Sequence, residues 1–193
     1  MAEEIRTLNA TEAAMMEKIR EAVPNPTKDT VMQAVVDPSY LEPENKEYIY
    51  NRDFGSMGIT GYIYDADDVF HLDTPEKIYH GLRLDYIGSR FSSKADKITV
   101  IRFNTNDTDD IVIPYGDHMP NPTGGMVSGH TYPKTGNGFV ATVSDDIIPE
   151  YYTTRVYIED GAILMEIDKK GSMAIVGMFD YNSGKFDKVV MEV

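Results

Sequence analysis

The stretch Ile98-Thr99-Val100-Ile101-Arg102-Phe103 decides how this chain is interpreted. Apart from Arg102, every residue in it is β-branched or aromatic, which predicts a strand buried on both faces inside a sheet. A guanidinium without a partner in a sheet interior costs on the order of several kcal/mol. We therefore expect the Arg102 side chain to reach a cleft, a carboxylate or an anionic ligand.

Further strands are predicted on both sides of this stretch. Glycines at 58 and 61 punctuate a Tyr- and Ile-rich segment that predicts a short strand ending near Tyr64. After Arg102, runs of strand-forming residues alternate with Asp, Asn and Gly turns. These runs predict strands at 111–114, 138–144, 155–158, 162–167, 172–178 and 185–192.

Three helices are predicted before the strand that carries Arg102. Asn9 and Glu12 form a helix-start pattern, and the apolar stripe that follows stops at Pro24. A second helix is expected from about Lys28 to Asp37. The sequence Thr74-Pro75-Glu76 predicts a third, from about Pro75 to Gly88, because threonine caps a helix and proline suits its first turn.

Helices that precede a run of strands indicate the α+β class, here with a mainly antiparallel twisted sheet. We interpret residues 1–50 as an N-terminal helical arm and residues 51–193 as one α+β domain. The chain has 193 residues, of which 41% are hydrophobic, which is enough to bury a sizeable core.

Charge and composition exclude several classes of partner. The net charge of −14 repels nucleic-acid backbones and anionic membrane surfaces, so we expect a protein partner or protein substrate. The chain has no cysteine, which rules out disulfides and thiolate nucleophiles and fits a reducing compartment. It shows neither a signal-peptide pattern nor an apolar run of membrane-spanning length. We expect a soluble cytoplasmic protein, or a virion-associated one if the chain is of phage origin.

Two polar segments have the appearance of ligand sites but lack required residues. The glycine-rich segment 124–131 has the spacing of a phosphate-binding loop, yet His130 stands where a lysine is needed and Pro133 prevents the following helix. We interpret it as a long loop able to cover a cleft. The Asp-rich turn at 107–110 lacks the glycine and the closing glutamate of a calcium loop, so no metal site is predicted.

The order of elements in the second half of the chain carries a family resemblance. A helix containing Leu82 is followed by the Arg102 strand, a long loop, a strand beginning at Phe139, an apolar strand that ends before Lys169-Lys170-Gly171, and a last strand from Phe186 to Met191. Over roughly the last 110 residues this order resembles the Arg-Ser-Glu branch of the ADP-ribosyltransferase fold. That branch includes the C3-like and other bacterial and phage mono-ADP-ribosyltransferases.

The resemblance implies an NAD site and a role for each matching residue. Arg102 would bind the dinucleotide phosphates, and Thr142 and Ser144 would line the cleft. Asp187 would carry the catalytic negative charge that stabilises the ribose as nicotinamide leaves. The implied activity is mono-ADP-ribosyl transfer to a protein side chain, or NAD hydrolysis when water is the acceptor.

The chain departs from the family pattern at two positions. Ala141 stands where the family has its first serine, and Lys188 stands where it has the catalytic glutamate. A lysine has the wrong charge to stabilise an oxocarbenium-like centre, so the role falls to Asp187, or to Glu192 if the last strand has a different register. These departures predict weakened or lost catalysis.

Two alternatives remain open from the sequence. Arg102 would have a purely structural role if it paired with an acid such as Glu166 or Asp187 on a neighbouring strand. The protein would then be a non-enzymatic structural or assembly protein, for example a phage virion subunit, that docks on its neighbours through the helical arm.

Overall fold

The computed structural model describes residues 9–40, 58–86, 88–114, 138–141 and 147–192. It contains two α-helices, α1 (Ala10–Ala22) and α2 (Pro75–Gly81), and short 3-10 helices at Pro38–Tyr40 and Thr108–Asp110. The ten strands are β1 (Met32–Val35), β2 (Gly58–Asp65), β3 (Lys97–Phe103), β4 (Ile111–Val112), β5 (Phe139–Ala141), β6 (Ile147–Pro149), β7 (Tyr151–Tyr157), β8 (Ile163–Asp168), β9 (Met173–Asp180) and β10 (Lys185–Glu192).

Eight of these strands form one sheet in the order β10-β9-β8-β3-β1-β2-β7-β4, and every pairing in it is antiparallel. β5 and β6 form a separate antiparallel pair. The predicted α+β class with a large antiparallel sheet is therefore confirmed. β3 lies in the interior of the sheet between β8 and β1, as its two-sided apolar pattern predicts.

The helix predicted from Lys28 to Asp37 is wrong. Residues Met32–Val35 form β1, which lies between β3 and β2 in the sheet. β1 is almost wholly enclosed, with Met32, Gln33 and Ala34 all buried, so packing on both faces decides its conformation. This segment is thus part of the sheet and not of a helical arm. The predicted domain boundary at residue 50 lies outside the described residues.

Other elements differ from their predictions mainly in length. α2 starts at Pro75 as predicted but ends at Gly81, and Arg83 adopts a left-handed backbone conformation with φ 51° that cannot continue a helix. β7 begins at Tyr151, four residues earlier than predicted, and β4 covers only Ile111–Val112. The described part of the strand predicted at 138–144 is Phe139–Ala141.

The two faces of the large sheet pack against different hydrophobic clusters. The first cluster, which we call the inner core, takes at least one buried side chain from each of the eight strands, including Ile101 of β3 and Leu164 of β8. The second lies under α2 and joins Ile78 and Leu82 to Val100 of β3. We call the sheet face that packs on the inner core the inner face, and the opposite sheet face, under α2, the α2 face. Since side chains alternate along a strand, Arg102 lies on the α2 face with Val100.

α1 is attached to the sheet of its own chain. Asn9 caps the helix, and Arg20 in its last turn donates hydrogen bonds to the carbonyl oxygens of Ile113 (2.7 Å) and Pro114 (3.2 Å). Gly138 has φ 82°, and a Cβ at this position would overlap the Pro114 carbonyl oxygen, so glycine is needed where β5 passes the end of β4. Among the described residues, no helix has the length and apolar character needed to cross a membrane.

Candidate functional site

Arg102 is held by a buried amide on the adjacent strand. It pairs in register with Gln33 of β1, and its Nε donates a hydrogen bond of 2.9 Å to Gln33 Oε1. Gln33 is only 1% exposed, whereas the Arg102 side chain is half-buried. The guanidinium of this otherwise apolar strand therefore lies at the edge of the enclosed part of the sheet.

Neither of the predicted carboxylate partners neutralises Arg102. Glu166 forms an ion pair with Lys97 at 2.5 Å, and Asp187 lies on β10, three strands away from β3. Within the described part of the chain, the Nε bond to Gln33 is the hydrogen bond that Arg102 makes, and no ion pair within 4.0 Å involves it. The two terminal Nη groups are therefore not engaged by these residues.

Two features of its surroundings shift the pKa of Arg102 in opposite directions. Burial lowers the pKa of the guanidinium, and the Asp67 carboxylate, in the turn after β2, partly restores it. An arginine keeps its proton at physiological pH even when its pKa is lowered, because its ordinary value lies so far above neutrality. Arg102 is thus a charged, partly desolvated donor, and such a group binds an anion more strongly than one in bulk water does.

Sheet register places Arg102 and Asp187 in one row on the α2 face. Paired residues of neighbouring strands share a face. Starting at β10, the row runs through Asp187, Met178, Ile163, Arg102, Gln33 and Tyr64. Three strand spacings of about 4.8 Å separate the backbones of Asp187 and Arg102 by about 14 Å. The bulges that interrupt β9 and β10 lie beyond this row.

The same register assigns Lys188 to the other face. Lys188 pairs with Gly177, which pairs with Leu164, which pairs with Ile101. That row belongs to the inner face, although Lys188 itself is exposed near the edge of the sheet. The predicted catalytic charge at Asp187 thus shares a face with Arg102, and the lysine of unfavourable charge does not.

Exposure changes along the row. Gln33 and Tyr64 are buried on one side of Arg102, while Ile163 on the other side is partly exposed. Farther along, Met178 is 38% exposed and Asp187 is exposed. In the described part of the chain, the sheet surface between Arg102 and Asp187 is therefore exposed and accessible to a ligand.

A buried polar pair that sequence reasoning missed continues from the enclosed side of the row. Tyr64 donates a hydrogen bond of 3.1 Å from its hydroxyl to Glu150 Oε1, and both residues are almost fully buried. Burial raises the pKa of Tyr64 well above its usual value, and the Glu150 carboxylate raises it further. A signal was present in Ile148-Pro149-Glu150-Tyr151, where an acid interrupts residues typical of a buried strand.

Two further predictions concerned Thr142 with Ser144 and the Asp-rich turn at 107–110. Thr142 and Ser144 lie between β5 and β6, outside the described residues. In the turn at 107–110, the Asp107 carboxylate accepts a hydrogen bond of 2.8 Å from the Tyr157 backbone amide. Where the structure is described, no group of three or more His, Asp or Glu side chains is placed to hold a metal ion.

A separate concave pocket lies at the opposite end of β3. It has a volume of about 460 Å³ and is lined by Thr74, Glu76, Lys77, Ser93, Lys94, Ala95 and Lys169. Asp73 pairs with Lys77 at 2.7 Å, and Asp96 pairs with Lys169. Two of its three lysines are therefore neutralised by acids of the same chain, and we place the candidate site at Arg102.

No family model, curated protein or solved structure matches this chain.

Proposed function

We propose that this protein binds NAD on the α2 face of the sheet, with Arg102 on the diphosphate. The observation that carries the proposal is the geometry of the guanidinium. Its Nε is bonded to buried Gln33, while its two Nη groups have no hydrogen bond to any described residue. A planar fork of two N–H donors is suited to two phosphate oxygens at once.

The surroundings of Arg102 strengthen a short-range contact to phosphate. Half-burial reduces the competition from water, so a charge-assisted hydrogen bond is worth more here than at an open surface. The net charge of −14 acts in the other direction, because it repels an anionic ligand at long range. We therefore expect modest affinity that depends strongly on the two contacts made by Arg102.

Asp187 would supply the chemistry implied by the family resemblance. When the bond between the nicotinamide nitrogen and the ribose breaks, the electron pair leaves with nicotinamide and positive charge builds on the sugar. A carboxylate near that sugar stabilises the charge until a protein side chain or water attacks. Asp187 is exposed, and water screens an exposed carboxylate, so we propose NAD binding with slow turnover.

Thermal denaturation with and without NAD tests binding. Saturating NAD should raise the melting temperature of the wild-type protein, because a ligand of the folded state stabilises it by mass action. Arg102→Lys keeps the charge but loses the planar fork, so the shift should fall sharply. Arg155→Lys is the matched control, since Arg155 is an exposed arginine of β7. The proposal fails if millimolar NAD leaves the wild-type melting temperature unchanged.

Release of nicotinamide tests the role of Asp187 separately. Asp187→Asn should abolish any slow release that the wild-type protein shows, since the amide carries no charge. Lys188→Gln is the control, because Lys188 is the adjacent residue in β10 and lies in a row on the other face. Equal rates for the two variants would remove Asp187 from the mechanism and leave a binding protein.

A further inference from the structure

Gln33 is an unusual residue for the centre of a sheet. β1 lies between β3 and β2, and the Gln33 side chain is 1% exposed. Burying an amide oxygen costs free energy unless the oxygen accepts a hydrogen bond. Gln33 Oε1 accepts the Nε–H of Arg102 at 2.9 Å, across a register that places the two residues directly opposite each other.

This hydrogen bond determines how the guanidinium is presented. The guanidinium is rigid and planar, so fixing Nε–H fixes the direction of both Nη groups. The amide thereby reduces the number of conformations that Arg102 must give up when an anion binds. Such preorganisation increases affinity without a new contact to the ligand.

The neutrality of Gln33 matters as much as its position. A carboxylate here would also accept from Nε, but it would cancel the positive charge of the guanidinium and compete with phosphate for its donors. An amide carbonyl orients the arginine and leaves its charge available. If an arginine has only a structural role in a sheet, a carboxylate can occupy the position opposite it.

We propose that Gln33 is a positioning residue that orients Arg102 toward a phosphate-bearing ligand while leaving the guanidinium charge uncancelled. The role in ligand binding rests on the proposed NAD site. Gln33 touches Arg102 and not the ligand, so its effect on binding should act through Arg102 alone.

The test compares Gln33→Met and Gln33→Glu with the wild-type protein, using NAD as the probe. Two quantities are measured: the dissociation constant for NAD, and the exchange of the Arg102 Nε–H proton with water by NMR. Gln33→Met removes the acceptor at similar volume, so Nε–H exchange should accelerate and NAD should bind about tenfold more weakly. Gln33→Glu retains an acceptor, so Nε–H should stay protected while NAD binding still falls about tenfold or more.

Two controls separate positioning from general stability. Thr99→Val changes a buried polar residue of β3 on the inner face and should leave both quantities unchanged. In an Arg102→Lys background, Gln33→Met should have no further effect on NAD affinity, because lysine has no Nε–H fork to orient.

Each outcome decides between the alternatives. Wild-type affinity in Gln33→Glu would overturn the claim about charge, and that variant remains informative if Gln33→Met does not fold. Unchanged Nε–H exchange in Gln33→Met would overturn the positioning role. If the wild-type protein binds no NAD, the proposed function fails and the ligand-directed role of Gln33 fails with it. The exchange measurement still decides in that case whether Gln33 fixes the guanidinium.

Discussion

The buried hydrogen bond between Tyr64 and Glu150 should contribute measurably to the free energy of unfolding. Tyr64→Phe removes one hydroxyl, and with it the 3.1 Å hydrogen bond to Glu150 Oε1. Glu150 is 0% exposed and Tyr64 2% exposed, so water cannot replace the lost donor without opening the core. Hydrogen bonds to charged groups contribute roughly 1.5–3 kcal/mol. Because Glu150 keeps other interactions, we expect a loss near the middle of that range, about 2 kcal/mol.

Urea unfolding followed by circular dichroism measures this loss, and thermal unfolding checks it. For a chain of this size, a loss of about 2 kcal/mol corresponds to a fall of roughly 4–8 °C in melting temperature. Tyr79→Phe is the matched control, because Tyr79 is a partly buried tyrosine packed on the same α2-face cluster with no hydroxyl hydrogen bond to the described residues. Equal losses for the two variants, or a loss below about 0.5 kcal/mol for Tyr64→Phe, would show that the hydroxyl of Tyr64 does not stabilise the fold.

Two further predictions concern stability. Thr153 is fully buried, and its hydroxyl has no hydrogen-bond partner among the described residues. Thr153→Val should therefore raise the free energy of unfolding, measured by urea titration, by about 1 kcal/mol. A decrease in the free energy of unfolding would contradict this prediction. The pKa values of Tyr64 and Tyr151 are raised, mainly by burial, above the usual 10.0, so the folded state holds protons that the unfolded state releases. Stability should therefore be full below about pH 10 and fall as the pH rises above it, less steeply in Tyr64→Phe, as urea midpoints measured from pH 8 to 11.5 would show.

The sheet interior could be predicted where the sequence carries a two-sided apolar pattern. Apart from Arg102, every residue of the run 98–103 is β-branched or aromatic, and this run lies in β3 at the centre of the sheet. The capping residues at Asn9 and Thr74 likewise marked helix starts correctly, because capping is a local interaction between a side chain and nearby backbone amides.

β1 could not be predicted from local pattern. Val31, Met32, Val35 and Val36 have spacing that suits one face of a helix, and short apolar runs fit a helix or a buried strand equally well. The strand forms because β3 and β2 pair with it on both sides. This error also concealed Gln33, since a glutamine in a supposed surface helix attracts no attention.

The opposite faces of Asp187 and Lys188 illustrate a second limit. Adjacent residues of a strand always face in opposite directions, but which of them shares a face with Arg102 depends on three successive strand registers. Those registers depend on which residues pair across four strands, and the sequence of one strand does not determine its pairing with the next. The sequence could therefore propose Asp187 but not its alignment with Arg102.

A phosphorus NMR titration of NAD, with the wild-type protein and with Arg102→Lys, tests directly whether Arg102 binds the diphosphate. If the Nη groups bind the diphosphate, its resonances should shift or broaden with wild-type protein, and the effect should be largely lost with the variant. Diphosphate resonances that do not respond to the wild-type protein, or that respond equally to both proteins, would contradict the claim that Arg102 is the phosphate-binding residue.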